Sequence, residues 1–217
     1  MASRIVHLAI ANEIIKIHPL PEPERFFLGS VLPDACPDKK AHYRKLLADG
    51  TRRTHDLTGF RRTYASRLQS DSLHLGYYLH LLQDILFRNE IYEVVGFDPR
   101  PAGNIPQLHL DYRLTNRHVI DKYGLTNQVR VPAGLEEEPL WKEWEFALAP
   151  FLEELAQDFR DTPRGKPRYF TEAIADGLIG RSAELCLSEL DALRTGAGFF
   201  DEDRFSWKIR HSVWNPG

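Results

Sequence analysis

The chain has 217 residues, 42% of them hydrophobic and 11% aromatic. That is enough for one core with at most a small appendage, and it excludes both two large domains and a disordered chain. Lys and Arg number 28 against 31 Asp and Glu, a net charge of −3 with neutral histidines, so no global electrostatic grip on nucleic acid or an acidic membrane is expected.

The opening MASRIVHLAIANEIIKIH repeats apolar residues at helical steps (Ile5, Leu8, Ala9, Ile15), with His7 among them. His7, Asn12 and Glu13 interrupt the run, which makes a poor secretion signal. No stretch approaches the roughly 20 apolar residues of a membrane span, and a soluble, cytoplasmic protein is expected. Pro19, Pro21 and Pro23 predict a stiff connection. Helical spacing returns at Leu57, Phe60, Tyr64 and Leu68, and more densely over 72–93, where Leu75, Leu79, Leu82 and Leu86 line one side. A loop is expected from Gly96 to Pro106 and another from Val131 to Pro139. Residues 140–159 read as a helix kinked or broken at Pro150, and Phe170 to Leu190 as a long amphipathic helix with Thr171 as its cap. Strand signals are scarce, and no internal repeat is present. The expectation is an all-α protein, one helical bundle domain over 1–217.

Phosphate-loop, GxSxG and HExxH motifs are absent, and two cysteines, Cys36 and Cys186, offer no CxxC zinc spacing. What remains is histidine and aspartate in apolar settings. In GYYLHLLQDILFR, His80 and Asp84 are four apart and share a helix face with Tyr77 and Arg88. A helix apolar almost all round is a buried one, and a buried imidazole and carboxylate must be paired, hydrogen-bonded or metal-bound. A structural His–Asp bond meets that need for a lone pair; further ligands elsewhere favour a metal. Those candidates are His7, Asp34 in LGSVLPDA, His42, and His109 with Asp111. Helical bundles build metal sites in this way, with inward ligands from several helices. An oxygen and nitrogen ligand set without thiolate suits zinc, manganese or iron. Thr54-His55-Asp56 adds a His-Asp doublet, in which Asp56 also reads as the N-cap of the following helix.

His7, LGSVLPDA at 28–35, His42 and LGYYLHLLQDILFR at 75–88 together resemble the zinc-dependent phospholipase C family, which shares its fold with the single-strand-specific zinc nucleases. The resemblance covers roughly the first half of the chain. It implies a mostly helical fold around one to three zinc ions that activate water for phosphodiester cleavage. It makes His7, Asp34, His42, His80, Asp84 and His109 metal ligands, with Asp34 also acting on the attacking water and Asp111 standing in for a later acid. The family places another histidine shortly after its HxxxD pair, where this chain has Asn89 and Glu90.

The expected activity is therefore metal-dependent hydrolysis of a phosphoester or phospholipid, with Asp34 and Arg88 as catalytic groups and Arg88 meeting the phosphate charge. Two rivals stand beside it. One is a His-Asp nucleotide phosphohydrolase built on His42, His55-Asp56 and Asp84; the other is a helical binding protein without catalysis. Replacing His55 is expected to abolish metal binding in the first rival and to be nearly silent in the phospholipase-like reading.

Overall fold

A computed structural model describes residues 3–161 and 163–209. Helix accounts for 63% of it, so the mostly helical class is right. Helix α1 (Arg4–Ile17) starts at Ser3, whose hydroxyl accepts from the Ile5 N–H. Pro23 occupies the first position of α2 (Pro23–Gly29), where its missing N–H costs nothing. A 3₁₀ turn, Leu32–Ala35, carries Asp34, and a second, Lys39–His42, ends on His42. Two longer helices follow, α3 (Leu57–Ser70) and α4 (Ser72–Asn89). The chain continues with α5 (Asn104–Tyr123), α6 (Pro139–Glu143), α7 (Leu148–Arg160) and α8 (Glu172–Leu193).

The scarcity of strand signals concealed a small antiparallel sheet. Strands β1 (Arg44–Leu46), β2 (Arg52–His55) and β3 (Trp207–Lys208) lie in that order, with Arg44 opposite His55 and Arg53 opposite Trp207. Two boundaries also shift. The break expected at Pro150 falls earlier, between Glu143 and Leu148, and Pro150 sits in the first turn of α7, where no donor is lost. Pro106 likewise belongs to the first turn of α5, so the preceding loop stops at Gly103. Thr171 caps α8 as expected, accepting from Ile174 N–H.

Helix α4 is the axis of the packing. Every residue from Ser72 to Phe87 is buried, and α2, α3, α8 and α1 all pack on it. Its contact with α2 is the closest of these, and glycines make it so. A Cβ on Gly76 would stand 2.4 Å from the Phe26 carbonyl oxygen, and one on Gly29 would stand 2.2 Å from the Leu73 carbonyl oxygen. The two backbones therefore touch where the chain leaves α2 for Ser30 and Asp34. His80, one turn beyond Gly76, reaches the Ser30 carbonyl beside that contact.

Candidate metal centre

Four histidines and two aspartates, drawn from five separate elements, converge beside this contact. His7 comes from α1, Asp34 and His42 from the two 3₁₀ turns, His55 from the end of β2, and His80 and Asp84 from α4. The His42 Nε2 lies 3.2 Å from the Asp34 Oδ1, and the His80 Nε2 lies 3.9 Å from that same oxygen. Asp84 turns Oδ1 to the His7 Nε2 at 3.7 Å and Oδ2 to the Nε2 atoms of His55 and His42 at 3.8 and 3.9 Å. Ligands about 2.0–2.1 Å from a tetrahedral zinc stand roughly 3.3–3.4 Å from each other, the scale seen here. Two overlapping groups, His7–His80–Asp84 and Asp34–His42–His80, each bring three ligand atoms close enough to share an ion.

The outer contacts fix which nitrogen faces inward. His7 donates from Nδ1 to the Gln83 Oε1 at 2.7 Å, and His80 from Nδ1 to the Ser30 carbonyl at 2.9 Å. His55 donates from Nδ1 to the His42 carbonyl. Each Nε2 is thereby left as a lone pair, the arrangement by which outer hydrogen bonds orient metal-binding imidazoles. Among the described residues, the Nε2 atoms of His7, His55 and His80 accept no hydrogen bond although all three are buried. His42 differs, because its Nε2 already faces Asp34 and its buried Nδ1 finds no partner there. Tyr43, directly after His42, has a left-handed backbone (φ 48°), unusual for a bulky residue. Its ring is held by Phe60, Tyr77 and Trp144, while the Tyr77 hydroxyl anchors the Ala41 carbonyl on the other side of His42.

Electrostatics complete a cation-seeking pocket. Burial alone would raise the Asp34 carboxyl, but the facing His80 and the hydrogen-bonding His42 bring it down to about 2. Asp84 also ends well below the usual carboxylate range despite burial, with His7 and Arg88 beside it. Burial, reinforced by the neighbouring His7, pushes His80 down to about 3, and burial takes His55 well below its ordinary value. Burial works to lower His7, but the contacts with Asp84, joined by Asp34 and Gln83, together raise it. Its ring stacks on His80 with centroids 4.0 Å apart, so protonating both is unfavourable. The result is two ionised carboxylates facing the His55 and His80 rings, which burial holds neutral.

Of the residues singled out from the sequence, His7, Asp34, His42, His80 and Asp84 meet here, and the Asp34 side chain is only 5% exposed. Arg88 lies one turn past Asp84, near enough to hold its charge. His109 and Asp111 do not join. Both Asp111 oxygens are engaged, accepting from Gln107 and from the backbone N–H groups of Arg168, Tyr169 and Phe170; Asp111 ties α5 to the approach of α8. His109 instead lines a cavity of about 610 Å³ that Asp34 borders, together with Arg4, Tyr112, Asn116 and Asp158. Glu90 pairs with Arg181. His55, left outside the expected ligand set, stands beside the cluster, its Nε2 3.8 Å from the Asp84 Oδ2. Its neighbour Asp56 caps α3 through the Gly59 N–H, so the doublet is divided between the site and the helix.

A third group, Asp71, His74 and Glu138, is also compact enough for an ion. There Arg25 already supplies the cation, its Nη2 3.2 Å from both Asp71 oxygens and 2.5 Å from Glu138. No helix among the described residues is long and apolar enough to cross a membrane. No family model, curated protein or solved structure matches the chain.

Proposed function

We propose that the chain is a metal-dependent, most simply zinc-dependent, phosphoester hydrolase of the zinc-dependent phospholipase C and zinc nuclease type. The observation that carries this reading is the inward set of buried Nε2 lone pairs, three of them fixed by Nδ1 donation to a carbonyl oxygen, around two carboxylates. His7, His42, His55, His80, Asp34 and Asp84 would hold the metal. A bound divalent ion supplies Lewis acidity and lowers the pKa of water towards about 7.

The chain's own groups do the remaining work. Asp34 borders both the cluster and the cavity, so it can accept a proton from water entering by that route and orient it towards the phosphorus. Arg88 meets charge gathering on the phosphoryl oxygens. Tyr112 forms part of the cavity wall, which Asp34 also borders. The separation of Asp56 from the cluster counts against the His-Asp phosphohydrolase alternative.

Elemental analysis of protein purified without chelator or a metal-affinity tag tests the first step, and a panel of phosphoesters the second. Bound zinc, manganese or iron together with hydrolysis supports the reading. Protein that carries no metal and takes none up refutes it.

A further inference from the structure

Trp207 reaches the metal cluster from the far end of the chain and has no role in the chemistry above. Its strand, β3, is only two residues long, so anchors on either side hold it in place. Before it, the Phe199 and Phe200 N–H groups donate to the buried Glu189 carboxylate, both at 2.7 Å, and the Arg52 Nε donates to the Ser206 Oγ at 2.9 Å. After it, the Lys208 N–H donates to the Glu93 Oε1 and the Ile209 N–H to the Thr51 carbonyl, both at 2.9 Å. In register Trp207 stands opposite Arg53, and His55 lies two residues further along β2 on the same face. A diagonal neighbour of that kind is within reach of a large ring, and the Trp207 and His55 ring centroids are 5.3 Å apart. The Arg88 guanidinium lies 5.2 Å from the centroid of the Trp207 ring. One ring, only 6% exposed, therefore touches both an imidazole of the cluster and the arginine assigned to the phosphate.

Each of those two groups lacks something that the ring supplies. His55 is tied at Nδ1 to the His42 carbonyl, but one hydrogen bond leaves an imidazole free to tilt about it, and the direction of the Nε2 lone pair follows that tilt. The Arg88 Nε is buried and makes no hydrogen bond among the described residues. A carboxylate brace would occupy guanidinium N–H donors in the plane of the group. An aromatic face holds the cation from above and leaves those in-plane donors for a ligand. We infer that Trp207 is a positioning residue, setting the tilt of His55 for the metal and the placement of Arg88 for the phosphoryl group, an inference that rests on the metal-dependent phosphoester reading above. The segment over 199–209, far from the cluster in sequence, thereby helps to determine both metal affinity and anion affinity.

The test measures the zinc affinity of the full chain by competition with a chromophoric chelator, and the binding of inorganic phosphate to the zinc-loaded protein by calorimetry. Trp207→Met fills the space without a ring. It should weaken zinc binding by about ten-fold or more, the scale for losing a contact behind a metal ligand, and phosphate binding by about two- to thirty-fold, the range of a cation–π contact. Trp207→Phe keeps a ring face and should recover most of both losses. Phe205→Leu is the control, because Phe205 stacks on Phe200 in the same segment with centroids 4.9 Å apart. It should lower the melting temperature and leave both affinities within about two-fold of the wild type. A zinc or phosphate affinity that stays at the wild-type level in Trp207→Met overturns the corresponding half of the role, and equal losses in Phe205→Leu overturn both halves. If Trp207→Met does not fold by circular dichroism, Trp207→Leu carries the same test with the same outcomes. A chain that takes up no zinc refutes the hydrolase reading and this role with it; a zinc-loaded hydrolase whose two affinities ignore Trp207 refutes the role alone.

Discussion

Withdrawing the metal should cost this protein a large part of its stability, and the structure sets the scale. Without an ion, the buried Nε2 atoms of His7, His55 and His80 have no acceptor role to fill among the described residues. An unsatisfied buried polar atom costs about 1–3 kcal/mol, so three cost roughly 3–9 kcal/mol, less whatever water entering the cavity recovers. Mass action gives a second bound: a ligand at 100 to 1,000 times its Kd stabilises by about 2.7–4.1 kcal/mol. The two ranges overlap near 3–4 kcal/mol. For a chain of this size each kcal/mol moves the melting temperature by about 2–4 °C, so stripped and reloaded protein should differ by roughly 6–16 °C. Differential scanning calorimetry on chelator-treated protein, with zinc returned in stoichiometric steps, measures that difference. His80→Ala should lose most of the increment, because His80 belongs to both three-residue groups. A melting temperature unmoved by zinc, or an increment that survives in His80→Ala, would refute the assignment of these lone pairs to a metal.

Three further outcomes separate the cluster from its supports. His55→Ala should lower metal content and activity by more than the roughly 10–100-fold typical of losing an outer contact, whereas Asp56→Ala should leave metal content intact and cost about 0.5–2 kcal/mol by uncapping α3; elemental analysis and urea unfolding read the two effects. Gly76→Ala drives a Cβ to 2.4 Å from the Phe26 carbonyl oxygen and 2.9 Å from the Ser30 nitrogen. It should destabilise by about 1–3 kcal/mol or more and weaken zinc binding, because Ser30 holds His80; a variant that melts lower yet binds zinc normally would separate the helix contact from the site. Asp71 caps α4 and, against its burial, is held below the ordinary 3.8 by His74, the Leu73 N–H and Arg25. A carboxyl depressed on folding stabilises above its unfolded pKa and loses that contribution as pH falls through its folded value. Asp71→Asn should therefore cost stability at pH 7 and show a shrinking deficit below about pH 4, read by urea midpoints across that range; a deficit independent of pH refutes the charge argument.

What the sequence made legible follows from periodicity. The apolar run around His80 predicted a helix buried on all sides, and α4 is one; a buried helix leaves its few polar residues no water, so His80 and Asp84 had to be engaged inside. The sheet and His55 were readable too, from a signal that went unused. Asp49-Gly50 is a hairpin dipeptide, with Gly50 at φ 67° and the Asp49 carboxylate accepting from the Thr51 and Arg52 N–H groups. Placing a turn there pairs Arg44 with His55 and carries His55 to within two register positions of His42, which is enough to put both imidazoles at one end of the ladder. Asp111 was beyond reach by the same means. It is as buried as Asp84 and, like it, lies on a largely apolar helix face. One carboxylate faces imidazoles and the other faces three backbone N–H groups from residues 168–170. Only the path of a chain segment nearly sixty residues further on distinguishes a candidate ligand from a brace, and no local spacing encodes that path. The site is therefore legible in its helical half, where burial forces the chemistry, and illegible wherever a distant backbone supplies the partner.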